Sequence, residues 1–154
     1  MSYANDMPTV EKTVRSDAGL ASELRLSVMR LRRRLAVERH PDNELSLNQM
    51  GVLGVLSRFG ELTLGELAAL ERVQPPSMTR TVNCLEAEGY VGRRAHETDR
   101  RQVLVGLSEH GRSTVLADRA RRDAWLALRL RDLTAAERAV LRDAAPILQK
   151  LATG

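Results

Sequence analysis

Between positions 74 and 91 the chain reads QPPSMTRTVNCLEAEGYV. The polar side chains in this stretch suit the edges and phosphates of a nucleic acid. An arginine fork such as that of Arg80 pairs two adjacent acceptors, as on guanine, and an amide such as that of Asn83 pairs the donor and acceptor of adenine. Ser77, Thr79 and Gln74 carry groups that reach phosphates or bases. At 100° per residue, Met78, Val82 and Leu85 gather within about 60° of one another. Pro76, Arg80, Asn83, Cys84 and Ala87 fall roughly opposite. One side is built to be buried and the other to read. A solvated surface arginine is the bland alternative for Arg80.

The composition agrees with an anionic partner. Of the 24 basic residues, all but Lys12 and Lys150 are arginines, and the net charge is +4. Arginine matches phosphate and guanine edges better than lysine does. The 154 residues suit one domain with a real core. Aromatics are only 3%, so that core rests on Leu, Val and Ala, which favours helices packed on helices. Cys84 is the sole cysteine, which excludes an internal disulfide and points to a reducing compartment. No apolar run approaches the ~20 residues of a membrane span, and the N-terminus lacks a signal pattern. A cytoplasmic protein is expected.

The elements that must hold these residues follow from periodicity and caps. Residues 1 to 15 show none and read as a flexible tail. Leu20, Leu24, Val28, Leu31 and Leu35 mark one helical face over about 17 to 39. Ser46-x-x-Gln49 and Thr63-x-x-Glu66 fit the capping box, so helices should begin at both. The first covers about 47 to 58 and ends at Gly60, which can take the left-handed conformation. The second covers about 64 to 71. Prolines 75 and 76 open the next helix, over about 75 to 88, because proline is tolerated in the first turn. Its start should also offer free backbone N–H groups to a phosphate. A short helix, a tight turn and a helix with one buried stripe make a helix-turn-helix.

Tyr90 to Arg94 is extended in character, and Val103, Val105 and Leu107 alternate as a strand does. The polar, basic AHETDRRQ joins them, so the pair forms a wing; a solvated hairpin is the alternative. Ser108 caps a helix over about 109 to 131 with Val115, Leu116, Ala120, Ala124 and Leu128 on its apolar side. Thr134-x-x-Glu137 caps a last helix, over about 135 to 152, that Pro146 can kink. The expected fold is mainly α, an α+β winged helix, with one domain over 16–152 and its winged helix-turn-helix core at about 46–107.

From about Leu20 to Leu151 the chain resembles the MarR family of bacterial winged-helix regulators. The strongest segment is QPPSMTRTVNCLEAEGYVGRRAHETDRRQVLVGLSEHG, residues 74 to 111. It is similar to the family's Ser-x-Thr-Arg helix, its acidic residue before Gly-aromatic-Val, its Asp-x-Arg wing and its closing Leu-Ser/Thr. The resemblance implies a homodimer joined through the helices at 17–39 and 109–152; purely intrachain packing of those faces is the alternative. It also implies a repressor on a pseudo-palindromic DNA operator. In this pattern Arg100 or Arg101 at the wing tip enters the minor groove, and Asp99 braces Arg101 by an ion pair. Arg93 and Arg94 at the wing's base meet phosphates. A small phenolic or anionic effector would release the DNA, with Leu24, Val28, Val52 and Trp125 as linings of its pocket. Cys84 stands where the family often has a basic residue. It is either an inert side chain or the thiol of an oxidant-responsive regulator.

Other classes find little support. The histidines at 40, 96 and 110 are scattered, no group has zinc-site spacing, and no cofactor is expected. No nucleophile motif, phosphate loop or dinucleotide fingerprint occurs, so an enzyme is not expected. An architectural protein that binds DNA without sequence preference, and a winged-helix scaffold for other proteins, are the competing readings.

Overall fold

The computed structural model describes residues 10–153. It contains α1 (Val10–Thr13), α2 (Asp17–Ala36), α3 (Leu47–Phe59), β1 (Leu62–Thr63), α4 (Leu64–Glu71), α5 (Pro75–Ala87), β2 (Val91–Ala95), β3 (Val103–Leu107), α6 (Glu109–Arg131) and α7 (Ala135–Thr153). Two compact units meet at the Glu38–Arg39 boundary.

The first unit holds α1 and α2. The expected loose tail extends to residue 15, but residues 10–13 form a helical turn. Residues 1–9 lie outside the described residues. Gly19 permits the turn's position, because a Cβ there would stand 1.7 Å from the Thr13 carbonyl oxygen. Ser16 caps α2 by accepting the Gly19 N–H at 3.1 Å. Its Leu20, Leu24, Val28 and Leu31 are all exposed, and none of its residues is buried. The helix ends at Ala36 rather than near Arg39. Arg39 donates to the Leu45 carbonyl and the His40 N–H bonds to Asp118, neither of which a continued helix would allow.

The second unit carries the core. All three expected capping boxes form; in the first two, Ser46 Oγ accepts from Gln49 N at 3.1 Å, and Thr63 Oγ1 from Glu66 N at 3.2 Å. In return the Gln49 and Glu66 side chains each accept the cap residue's own N–H at 2.8 Å. Val52, Leu53 and Leu56 of α3 meet Leu67 of α4, the Met78, Val82 and Leu85 stripe of α5, Val91, Val105 and Val115. Gly60 takes a positive φ of 82° with ψ −156°, which is not the left-handed helical basin. That backbone turns the chain into β1, a strand too short to show alternation in sequence. The sheet order is β1-β3-β2, antiparallel throughout, with Leu62 opposite Val105 and Val91 opposite Leu107. Helices and a small sheet thus make a winged helix of mainly α content.

Two features fasten the wing's base to α6. Ser108 caps α6, accepting from Gly111 N at 3.0 Å, and its hydroxyl donates to the Gly89 carbonyl at 2.5 Å. Gly111 is required by close approach, since a Cβ there would lie 2.0 Å from the Tyr90 carbonyl oxygen. Two turns further along α6 is Asp118, at 0% exposure the buried charged residue among those described. Its carboxylate accepts the His40 N–H at 3.1 Å and the Asn43 amide at 2.7 Å, with Arg122 at 3.8 Å. It ties the segment before α3 to α6. The apolar side of α6 is therefore split, with Val115 and Asp118 inward and Leu116 and Leu128 exposed. Helix α7 runs through Pro146 without interruption and buries none of its residues.

Candidate nucleic-acid interface

Helix α5 is seated by Met78, Val82 and Leu85, so its opposite face is presented outward with Arg80, Asn83 and Cys84 exposed. The turn before it is made by Arg72, which takes the left-handed conformation at φ 54°, ψ 42° and lets its N–H close α4 on Ala68 and Ala69. Gln74 is the N-cap residue but makes no side-chain capping bond. The expectation of free backbone donors at this helix start is corrected. Pro75 and Pro76 have no N–H, and the N–H groups of Ser77 and Met78 both bond to the Gln74 carbonyl, at 3.0 and 3.1 Å. Any anion met here is met by side chains. The Ser77 hydroxyl is exposed, while that of Thr79 donates to the Pro75 carbonyl at 3.0 Å.

The five arginines of the candidate interface fall into two groups. Arg93, on β2, reaches back to α5. Its Nη2 donates to Asn83 Oδ1 at 2.6 Å and its Nη1 pairs with Glu86 Oε2 at 2.7 Å. Arg94 points to the other side of the strand. It holds Glu61, next to β1, through Nε at 2.9 Å and Nη2 at 2.5 Å, with Glu97 at 3.9 Å. Those hydrogen bonds hold the Glu61 carboxyl below the ordinary glutamate value. Desolvation opposes them and the charge of Arg94 adds to them. The same hydrogen bonds raise Arg94. Both arginines were expected to meet phosphates, and both are engaged within the chain. Arg80, Arg100 and Arg101, by contrast, are exposed and have no ion pair or side-chain hydrogen bond among the described residues. Their forks are available.

The wing tip is shaped by short-range bonds. His96 Nδ1 accepts from the Thr98 N–H at 3.3 Å and the Asp99 N–H at 3.4 Å, and the Gln102 N–H closes on the Asp99 carbonyl at 3.0 Å. The expected ion pair between Asp99 and Arg101 is absent. Asp99 Oδ1 instead accepts the backbone N–H of Arg101 at 3.1 Å. A short carboxylate two residues before an N–H closes this turn more readily than it reaches a long guanidinium. Asp99 therefore fixes the loop and leaves the Arg101 side chain unbraced.

The residues expected to line an effector pocket differ in exposure. Leu24 and Val28 are exposed on α2, and Val52 is committed to the core at 1% exposure. Trp125 is half-buried on α6 with the Arg129 guanidinium 5.4 Å from its ring centroid. A cavity of about 280 Å³ lies elsewhere, between the end of α3, Gly106 and Arg112. Sequence reading missed the Arg93 and Arg94 partners, which lie 10 and 33 residues away. It also missed Asp118, although a carboxylate three residues after Val115 on an inward face was a readable signal. No group of His, Cys, Asp or Glu that could hold a metal occurs among the described residues. None of the helices described is long and apolar enough to cross a membrane.

A helix-turn-helix joined to a two-stranded basic wing, flanked by long helices, defines the winged-helix class of transcriptional regulators. The MarR family's sequence profile matches residues 45–103, the α3–wing segment. An HTH-type transcriptional regulator of Mycobacterium tuberculosis is 48% identical over 136 residues, 88% of this chain and 94% of its own length. One from Mycobacterium leprae is 46% identical over the same span. A transcriptional regulator from Pseudomonas aeruginosa superposes with a TM-score of 0.79 at 35% identity, covering 96% of this chain and 99% of that one. The chain belongs to the MarR family of HTH-type transcriptional regulators and is not an enzyme.

Proposed function

We propose that the protein is a sequence-specific, homodimeric DNA-binding repressor. The observation that carries this reading is the division among its arginines. Arg80 on α5 and Arg100 and Arg101 at the wing tip are exposed and unpaired among the described residues, while Arg93 and Arg94 join the wing to its neighbours. Arg80 faces a base edge in the major groove, with Asn83, Ser77, Thr79, Gln74 and Pro76 around it on the same helix face or its start. Arg100 and Arg101 enter the minor groove, where narrow A·T-rich stretches concentrate negative potential.

Two proteins of this fold support the reading. Streptococcus pneumoniae FabT has been crystallised with DNA, and Staphylococcus aureus MepR with an oligodeoxyribonucleotide. Exposed apolar residues support the dimer: Leu20, Leu24 and Val28 on α2, and Leu141, Ile147, Leu148 and Leu151 on α7. Two heads related by a dimer axis would read half-sites about 34 Å apart on a pseudo-palindrome. Occupying a promoter would block polymerase, in the cytoplasm where the chromosome lies. Release by a small phenolic or anionic effector belongs to the same reading through the family resemblance. Such an effector must bind the non-DNA-binding arrangement better.

Binding to fragments selected from random duplex, set against unselected DNA at one fixed salt concentration, tests the proposal. A large ratio is expected. A ratio near one would make the protein architectural, and no binding would make it a protein scaffold.

A further inference from the structure

The position of Arg93 bears on what the neighbouring amide can read. Arginine has donors and no acceptor, so its contact with Asn83 fixes the amide's orientation. The oxygen must face Arg93 Nη2, at 2.6 Å, and the NH2 must face away. The fork cannot easily swing aside, because Nη1 is held 2.7 Å from Glu86, one turn further along the same helix. A single guanidinium thus bridges two successive turns of α5 from the adjoining strand. The Asn83 NH2 has no partner among the described residues, and the residue is exposed.

Reading adenine requires both ends of an amide in one plane against the base, the oxygen accepting from N6 and the nitrogen donating to N7. Here the oxygen is directed at the wing, with one lone pair engaged by Arg93. The NH2, with two hydrogens on one nitrogen, is the end left without a partner among the described residues. Guanine presents two acceptors side by side, N7 and O6, and no donor on that edge. We infer that Arg93 decides which base Asn83 reads: its clasp orients the amide oxygen toward the wing and leaves the NH2 to donate to guanine rather than to clamp adenine. Arg93 is a positioning residue in this scheme, acting on DNA through Asn83. The inference rests on the DNA-reading proposal above.

The full-length protein and three variants test it. Duplexes selected by the wild type are sequenced, and affinities are measured on operators changed one base pair at a time, at one salt concentration. Asn83→Ala should flatten the preference at one base pair in each half-site, and that pair should be G·C in the wild-type operator. Arg93→Met keeps an unbranched stem, removes the guanidinium and frees the amide. It should move the preference at that same pair toward A·T by about tenfold, with other positions unchanged. Glu86→Gln loosens the fork without removing it and should shift the pair in the same direction by less, which keeps the test alive if Arg93→Met fails to fold. A wild-type A·T pair at that position, no position lost in Asn83→Ala, or an unmoved preference in the folded Arg93 or Glu86 variant would overturn the inference alone. A wild-type protein that enriches no sequence would overturn the DNA-reading proposal and this inference with it.

Discussion

At the scale of single residues, an arginine's partner decides what it can do for a ligand. Arg80→Ala should relax specificity at one base pair per half-site, at a cost of about 1–3 kcal/mol. Arg101→Ala should weaken binding on all sequences and lower the salt slope by about one, as loss of one cation from the duplex's negative potential does. Both are checked by equilibrium binding across a salt series. Arg94 is different because Glu61 already neutralises it at 2.5–3.0 Å. Glu61→Gln should release that charge, tighten binding at low salt and steepen the salt dependence. Because the folded pKa of Glu61 is lowered, the pair stabilises the fold above the ordinary glutamate value near 4.5. That contribution fades as pH falls through the lowered folded value.

At the scale of elements, the question is what holds the reading helix and wing in register with the rest. Helix α7 opens on a capping box in which the Thr134 N–H, and then its hydroxyl, hold Glu137 below its ordinary pKa. That contribution likewise fades on acidification through the lowered value. Asp118 is the sharper case. Replacing it with Leu removes the charged acceptor of the His40 N–H and of the half-buried Asn43 amide. A hydrogen bond to a charged group is worth about 1.5–3 kcal/mol, so Asp118→Leu should lower the urea midpoint strongly. Gly111→Val should do the same by driving a side chain into the Tyr90 carbonyl. Replacing the exposed Leu116 with Ala on the same helix should leave the stability of the isolated fold near wild type. Urea denaturation of the three variants checks the ordering.

At the scale of the whole molecule, the core and the exposed apolar residues divide the labour. The core runs from Leu45, just before α3, to Val115 near the start of α6, while Ile147 and Leu151 on α7 are more than 60% exposed in the single chain. Exposed apolar residues such as these are what the proposed dimer would bury. Ile147→Glu combined with Leu151→Glu should produce a monomer by sedimentation. Its affinity for a two-half-site operator should fall far more than its affinity for a single half-site, because linked heads bind the second site at high effective concentration.

Local signals carried far in this chain. The capping boxes at Ser46, Thr63 and Thr134 and the apolar stripe of α5 are each complete within three to seven residues, so they could be read without knowing the fold. The face bearing Arg80 and Asn83 follows from that stripe, and the winged-helix class from the order of the elements. What needed the tertiary structure is every pairing across distance: Arg94 with Glu61, Arg93 with Asn83 and Glu86, and Asp118 with Asn43. From sequence both Arg80 and Arg93 were expected to touch DNA, the first at a base edge and the second at a phosphate. Only the return of β2 alongside α5 places a carboxylate and an amide within reach of the first guanidinium and leaves the second in solvent.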